Sequence, residues 1–257
     1  MIAETWHRRA LVLSLVRRQY QLRYRQSLAG FGWALLPPIA SLVVATLVFH
    51  EVIGVDTGNV PYPLFALAGL APWSFFASSV TTGVPSIVTQ QTMVTRLAFP
   101  RAAIPISAAG TALIDLGVTT VVFLAFATIT GAGLPLTALW APVLFVIEIV
   151  FVIGVVLLGS ALNVFARDIR LAVPLLVQLW LLLTPVMYPL TEVPDRLRGF
   201  YLMNPMTGLI ESFRRVLIEG HAPEPSMLAP SIIGAVAVLV IGAAYFSVTE
   251  KRFADVI

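Results

Sequence analysis

Two carboxylates, Asp115 and Glu148, stand alone in the apolar stretch from Ala102 to Ala166. An isolated acid in such a setting holds a polar neighbour across a helix interface, carries a proton as a structural group, or relays protons. Metal chemistry has little to work with. The three histidines, His7, His50 and His221, are far apart, and there is no cysteine. His50-Glu51 is not followed by a histidine three residues later, so the helical zinc-protease pattern fails. Without cysteine there are no disulfides, thiol nucleophiles or thiolate-bound metals. Of sixteen basic residues fifteen are arginine, and the lone lysine, Lys251, lies between Glu250 and Arg252. A P-loop needs Gly-Lys-Ser/Thr so that the lysine reaches nucleotide phosphates. ATP hydrolysis by that route is excluded for this chain.

The elements that carry these residues follow from the distribution of charge. The chain has 257 residues, 58% hydrophobic and 11% charged, against about 25% charged in an ordinary soluble domain. Its mean hydropathy is +0.92. So few charges cannot cover a soluble surface, and the expected fold is an all-α polytopic membrane protein. A membrane helix needs roughly 20 mostly apolar residues. The gaps between ionisable residues then give six spans, near 31–53, 64–89, 105–130, 137–163, 171–190 and 228–249. Gly131-Ala132-Gly133-Leu134-Pro135 is the turn that separates the third from the fourth.

Residues 1–30 carry six arginines and no continuous apolar core, so they do not read as a cleavable signal. Leu11, Leu15 and Leu22 fall near one helical face, which suits a helix lying in the headgroup plane. Basic residues in short loops set orientation. With the N-terminus in the cytoplasm, twelve basic residues fall inside and four outside (Arg196, Arg198, Arg214 and Arg215). Both termini are therefore expected in the cytoplasm. The same rule accounts for a pI near 9.6 without nucleic acid as a partner. Between Glu192 and Glu224, Met206, Leu209, Ile210, Phe213, Val216 and Leu217 recur at helical spacing. Asn204-Pro205 supplies an N-cap followed by proline at the first helical position, and Gly220 a stop. This amphipathic helix either lies at the outer surface or dips among the spans. Gly154 and Gly159 are five apart, so they form no GxxxG pair and read as close-packing glycines.

Several short motifs line up along this topology. They are Arg23-Tyr24-Arg25-Gln26-Ser27 leading to Gly30 and Trp33, Phe99-Pro100-Arg101 in the first inner loop, and Asn163-Val164-Phe165-Ala166-Arg167-Asp168 in the second. Thr184-Pro185-Val186-Met187-Tyr188-Pro189 ends the fifth span, Asn204-Pro205-Met206 opens the outer helix, and Phe253-Ala254-Asp255 closes the chain. In order and placement they resemble the permease subunits of ABC-2-type exporters of lipid-linked polysaccharides and polyol phosphates, from about Arg8 onward. Ala29, where many relatives carry a larger aliphatic residue, and Pro37-Pro38, where they often have one proline, depart from that pattern and concern local packing.

The resemblance implies a single transmembrane domain over 1–257 that forms a homodimer in the bacterial cytoplasmic (inner) membrane, among membrane lipids. Two ABC ATPase subunits on the cytoplasmic side would use ATP and Mg, with no cofactor on this chain. It implies an interface helix at 1–30 and a coupling helix, about Gln90 to Arg101 within the loop 90–104, where Gln91, Arg96, Phe99, Pro100 and Arg101 would meet the ATPase. It also implies external re-entrant helices within 191–225 and a channel at the dimer interface lined largely by spans one and five. In such a channel aromatic faces pack against sugar C–H groups, which singles out Trp33, Trp73, Trp180 and Tyr188, with polar Gln178 beside Trp180. The bland alternative is the aromatic belt of any membrane protein. Arg23 and Arg25 would meet the diphosphate of a lipid carrier through forked guanidinium contacts, or serve topology and anionic lipid. The expected cargo is a lipid-linked polysaccharide such as O-antigen or galactan. Teichoic acid, capsular polysaccharide, a drug or another lipid are the alternatives on the same scaffold. A membrane transferase would need clustered acids to hold a divalent metal, and here the acids are scattered, with Asp168 the one inner-face aspartate between spans.

Overall fold

The computed structural model describes residues 9–24, 32–58, 60–96 and 99–256. Among them the chain is helical, without strands. Helix α1 spans Arg9–Tyr24, and α2 spans Gly32–Ala45 and continues as a π-helical segment Thr46–Val52. The long helix α3 follows at Tyr62–Gly83, then the short α4 at Ser86–Thr89 and α5 at Gln91–Arg96. Helices α6 (Ala103–Gly110) and α7 (Ala112–Ile129) are nearly continuous. A 3₁₀ turn at Leu136–Trp140 leads into α8, Ala141–Phe165. Then come α9 (Ile169–Leu182), α10 (Asp195–Met203), α11 (Pro205–Arg214) with a π-helical end at Arg215–Glu219, α12 (Pro225–Thr249) and α13 (Phe253–Val256).

Five segments are long and apolar enough to cross a membrane: Leu35–Val52, Tyr62–Gly83, Ala103–Ile129, Leu136–Phe165 and Pro225–Arg252. The sixth apolar helix, α9, has 14 residues. At 1.5 Å per residue it is about 21 Å long, short of a hydrocarbon core of about 30 Å. The charge gap suggested a span to residue 190, but the helix stops at Leu182. Pro185 disfavours the helical region for Thr184 before it, and residues 183–189 run on as turns. A proline also shortens the second span, which ends at Gly83 rather than 89, with Pro85 capping the separate α4. The glycine turn forms as expected, with Gly131 and Gly133 both at positive φ.

Helix α3 is the axis of the bundle. Sixteen of its residues are buried, on all sides, because α2, α7, α8, α9 and α11 surround it. Helices α8 and α12 make the broadest pairing, and glycine makes it possible. A Cβ on Gly154 would come within 2.5 Å of the Leu239 backbone nitrogen, and one on Gly242 would strike the Gly154 carbonyl. Small residues allow such backbone approach where lipid offers no hydrophobic drive to associate.

The bundle has two distinct ends. At one, here the terminal end, Phe253 is fully buried against Phe246 and Phe165. There α1 lies on α6: Leu15 is buried, and Gln19 Nε2 donates to Ser107 Oγ at 3.4 Å. At the other, the cap end, α10 and α11 close over the bundle, and Thr137 donates to the Val216 carbonyl at 2.8 Å.

Candidate functional site

The cap end is built around one buried cation. Arg214, at the end of α11, is 1% exposed. Its Nη1 donates to the carbonyl of Pro185 at 2.8 Å and to Glu211 Oε1 at 2.7 Å, with the Tyr188 carbonyl at 3.3 Å. Its Nη2 donates to the Val186 carbonyl at 2.5 Å, and its guanidinium carbon stands 3.7 Å from the centre of the Phe65 ring. Burial weakens the hold of this guanidinium on its proton and the adjacent Glu211 carboxylate strengthens it. Arginine stays protonated in proteins regardless. Tyr62, at the start of α3, donates its hydroxyl to the Met187 carbonyl at 2.9 Å. Carbonyls that the broken end of α9 leaves without helical partners are thus held by side chains from two other helices, as a buried backbone requires. Gly69 makes room, since a Cβ there would sit 2.7 Å from the Val186 carbonyl and 2.9 Å from Arg214 Nη2.

Asn204 forms the second knot. Its Oδ1 caps α11 by accepting from the Met206 backbone N–H at 3.1 Å, and accepts from Trp180 Nε1 at 3.1 Å. Its Nδ2 donates to Thr184 Oγ1 at 2.8 Å. The face of α11 at Met206, Leu209, Ile210 and Phe213 is fully buried. The helix is therefore packed among the long helices rather than laid on a surface.

The residues singled out in the sequence fall into three groups. Trp180 is partly buried, edge-on to Phe76 at 5.0 Å and Phe151 at 6.1 Å. It shares a face of α9 with buried Val173 and Val177. Gln178 lies two positions away, on the opposite face with exposed Leu171, Leu175 and Leu182. These two residues are not brought together. Trp73 is buried on α3 against Phe76. Tyr188 is partly buried, donates to the Leu182 carbonyl at 3.1 Å and meets the Tyr201 hydroxyl at 3.2 Å. The side chains of Trp33 and Arg23, and Arg25 altogether, lie outside the described residues.

At the terminal end Gln91 is exposed, and the Arg96 side chain lies outside the described residues. Phe99 packs on a cluster that includes Ile87, Val94, Leu157 and Phe253. Pro100 accepts from the Ala103 N–H at 2.9 Å. The Arg101 guanidinium donates to the Glu250 carbonyl and so ties this loop to the end of α12. Of the two isolated acids, Asp115 accepts from Ser78 Oγ at 3.2 Å across α3 and α7. Glu148 is fully buried in α8, and neither of its carboxyl oxygens has a hydrogen-bond partner among the described residues.

A bundle of apolar helices closed at one end by shorter helices narrows the field, and comparison with known proteins decides the family. The family model described as "ABC-2 type transporter" matches residues 10–218. The chain belongs to this family. Among individual ABC-2 relatives, the O-antigen export system permease protein RfbA of Myxococcus xanthus is 30% identical, covering 99% of this chain and 98% of its own. The protein of the same name from Klebsiella pneumoniae is 27% identical over 96% and 95%. The polysialic acid transport protein KpsM of Escherichia coli is 23% identical over 93% of each chain.

Sequence reasoning missed the role of Arg214, counting it among the outer loop charges. A signal was present. Arg214 stands four after Ile210 and three after Glu211, on the apolar stripe of α11, and an ion-paired arginine at an apolar position is one built to be buried.

Proposed function

We propose that this chain is the membrane-spanning subunit of an ATP-driven exporter that carries a lipid-linked polysaccharide from the bacterial cytoplasm across the inner membrane. The observation that carries this reading is similarity along 99% of the chain to an O-antigen export permease, on a helical bundle whose cap departs from ordinary spans. The terminal end faces the cytoplasm, since Arg17, Arg18, Arg101, Arg167, Arg170, Lys251 and Arg252 gather there. The cap end is then the exit side.

Two copies face each other across the exposed apolar surfaces of α2 and α9, where Ile39, Val43, Leu175 and Leu179 are open, and the polymer passes between them. Gln178 lies on that surface and meets the polymer. Trp180 acts from behind it by fixing α9 to the cap. Because the chain has no P-loop, the energy comes from separate ATPase subunits, one per copy. They dock on the loop from Gln91 to Arg101, where Phe99 packs in one cluster with Phe253 and Arg101 donates to the Glu250 carbonyl at the end of α12, so that the loop is coupled to that helix. A capsular-type polymer is the second cargo, favoured by the likeness to a polysialic acid transport protein. Deleting the gene in its host tests the proposal. Loss of surface polysaccharide, with lipid-linked polymer accumulating inside, is the result expected, and normal surface polymer would overturn it.

A further inference from the structure

A cavity of about 510 Å³ opens at the cap end, between the loop at Asp56 and Thr57, the turn at Leu190 and Thr191, and α11. Its size falls in the ~300–1,000 Å³ range of small-ligand sites. Its charges discriminate among ligands. All three arginines that line it are already engaged. Arg198 pairs with Asp195 at 2.8 Å, Arg214 with Glu211 at 2.7 Å, and Arg215 with Glu224 at 3.3 Å. A phosphate would therefore find no spare cation. A divalent ion is not favoured either, since no three acids or histidines among the described residues are grouped to hold one.

What the cavity does offer is acceptors. The Asp56 and Glu219 carboxylates form no ion pair among the described residues, and Asp56 uses one oxygen to accept from the Gly58 N–H at 2.8 Å. Thr57 and Thr191 stand beside them, and Phe65 and Leu202 give apolar wall. Carboxylate and hydroxyl oxygens beside an apolar wall match a neutral, hydroxyl-rich ring, whose hydroxyls donate to such acceptors and whose C–H faces are apolar.

We propose that this cavity binds a saccharide unit of the polymer as it leaves the membrane. The proposal rests on the reading of the chain as a polysaccharide exporter and adds a holding site on the exit side, away from the α9 surface. Such a site keeps the emerging chain from slipping back between strokes of the ATPase.

Photo-crosslinking in the native host tests this with the cell's own glycan as probe. A benzophenone amino acid is installed at Thr191 in the cavity, at Gln178 on the α9 surface, or at Val121, exposed on α7 as a control. Carbohydrate adducts at both Thr191 and Gln178, at least tenfold above Val121, are expected. The combined change of Asp56→Asn and Glu219→Gln should lower the Thr191 adduct at least fivefold, with protein level and ATPase co-purification unchanged. Adducts at Gln178 with none at Thr191 would overturn the holding site and leave the export reading standing. Phospholipid in place of glycan at Thr191, or an adduct indifferent to the double change, would overturn the site as well. Absence of glycan at both positions would overturn the export reading together with it.

Discussion

Arg214 at the end of α11 and Val186 beyond the end of α9 are joined by a 2.5 Å hydrogen bond from guanidinium to carbonyl. The pairing crosses 28 positions of sequence and ties the cap to the helix most exposed on the surface assigned to the channel. Movement of one must therefore be felt by the other.

Replacing Arg214 by alanine leaves three carbonyls and Glu211 without their donor. Breaking a buried ion pair from one side costs about 3–5 kcal/mol. The Arg214→Ala variant should unfold well below the wild type in a detergent melt. Adding Glu211→Gln should recover part of the loss, because it removes the stranded carboxylate. Additive loss in the double variant would show that the pair is not coupled.

Asn204 divides its side chain between capping and tethering. Asn204→Asp keeps an oxygen for the Met206 N–H and for Trp180 but loses the donation to Thr184. Asn204→Ala loses all three, and a lost N-cap alone costs about 0.5–2 kcal/mol. The alanine variant should therefore melt lower than the aspartate variant. Equal melting temperatures would reduce Asn204 to a loop residue.

Glycine contrasts test the α8–α12 pairing. Gly242→Val should fail to assemble, because its first side-chain atom already strikes the Gly154 carbonyl. Gly117→Ala on α7 meets nothing within 4 Å and should leave the melting temperature within a degree or two. Folded protein recovered by size-exclusion chromatography reads out the first variant, and a thermal melt in detergent the second.

Glu148 has no partner for its carboxyl oxygens among the described residues. Substituting buried ionic groups by apolar residues of similar volume is often neutral or stabilising. Glu148→Met should thus fold and melt at or above the wild-type temperature, and export should persist if the acid is structural. A stable variant that no longer exports would assign it to proton movement instead.

Much of the fold is legible in the sequence because lipid is a demanding solvent. Charge is excluded from long apolar helices, so gaps between ionisable residues fall on the five helices that are long and apolar enough to cross a membrane. Gly131 and Gly133 mark a turn because they adopt positive φ, and Asn204-Pro205 marks a helix start that the structure reproduces. What charge mapping misses is the fate of a charge inside folded protein. Arg214 counts as a loop cation in the linear map and is a buried anchor in three dimensions. The end of α9 is misplaced for a related reason. Residues 183–190 are uncharged, yet Pro185 breaks the helix, and distant side chains take up the carbonyls it frees. Trp180 is drawn toward Gln178 by adjacency in sequence, while helical periodicity sends the two to opposite faces.

The central claim is transport of a glycan by this chain with a partner ATPase, and inverted membrane vesicles from the host test it most directly. With ATP, lipid-linked glycan exposed on the vesicle surface should move to the lumen and become protected from an added glycosidase. Protection should require this chain, the ATPase subunit and hydrolysable nucleotide together. Glycan that stays equally accessible with and without ATP, or that becomes protected in vesicles lacking this chain, would contradict the account.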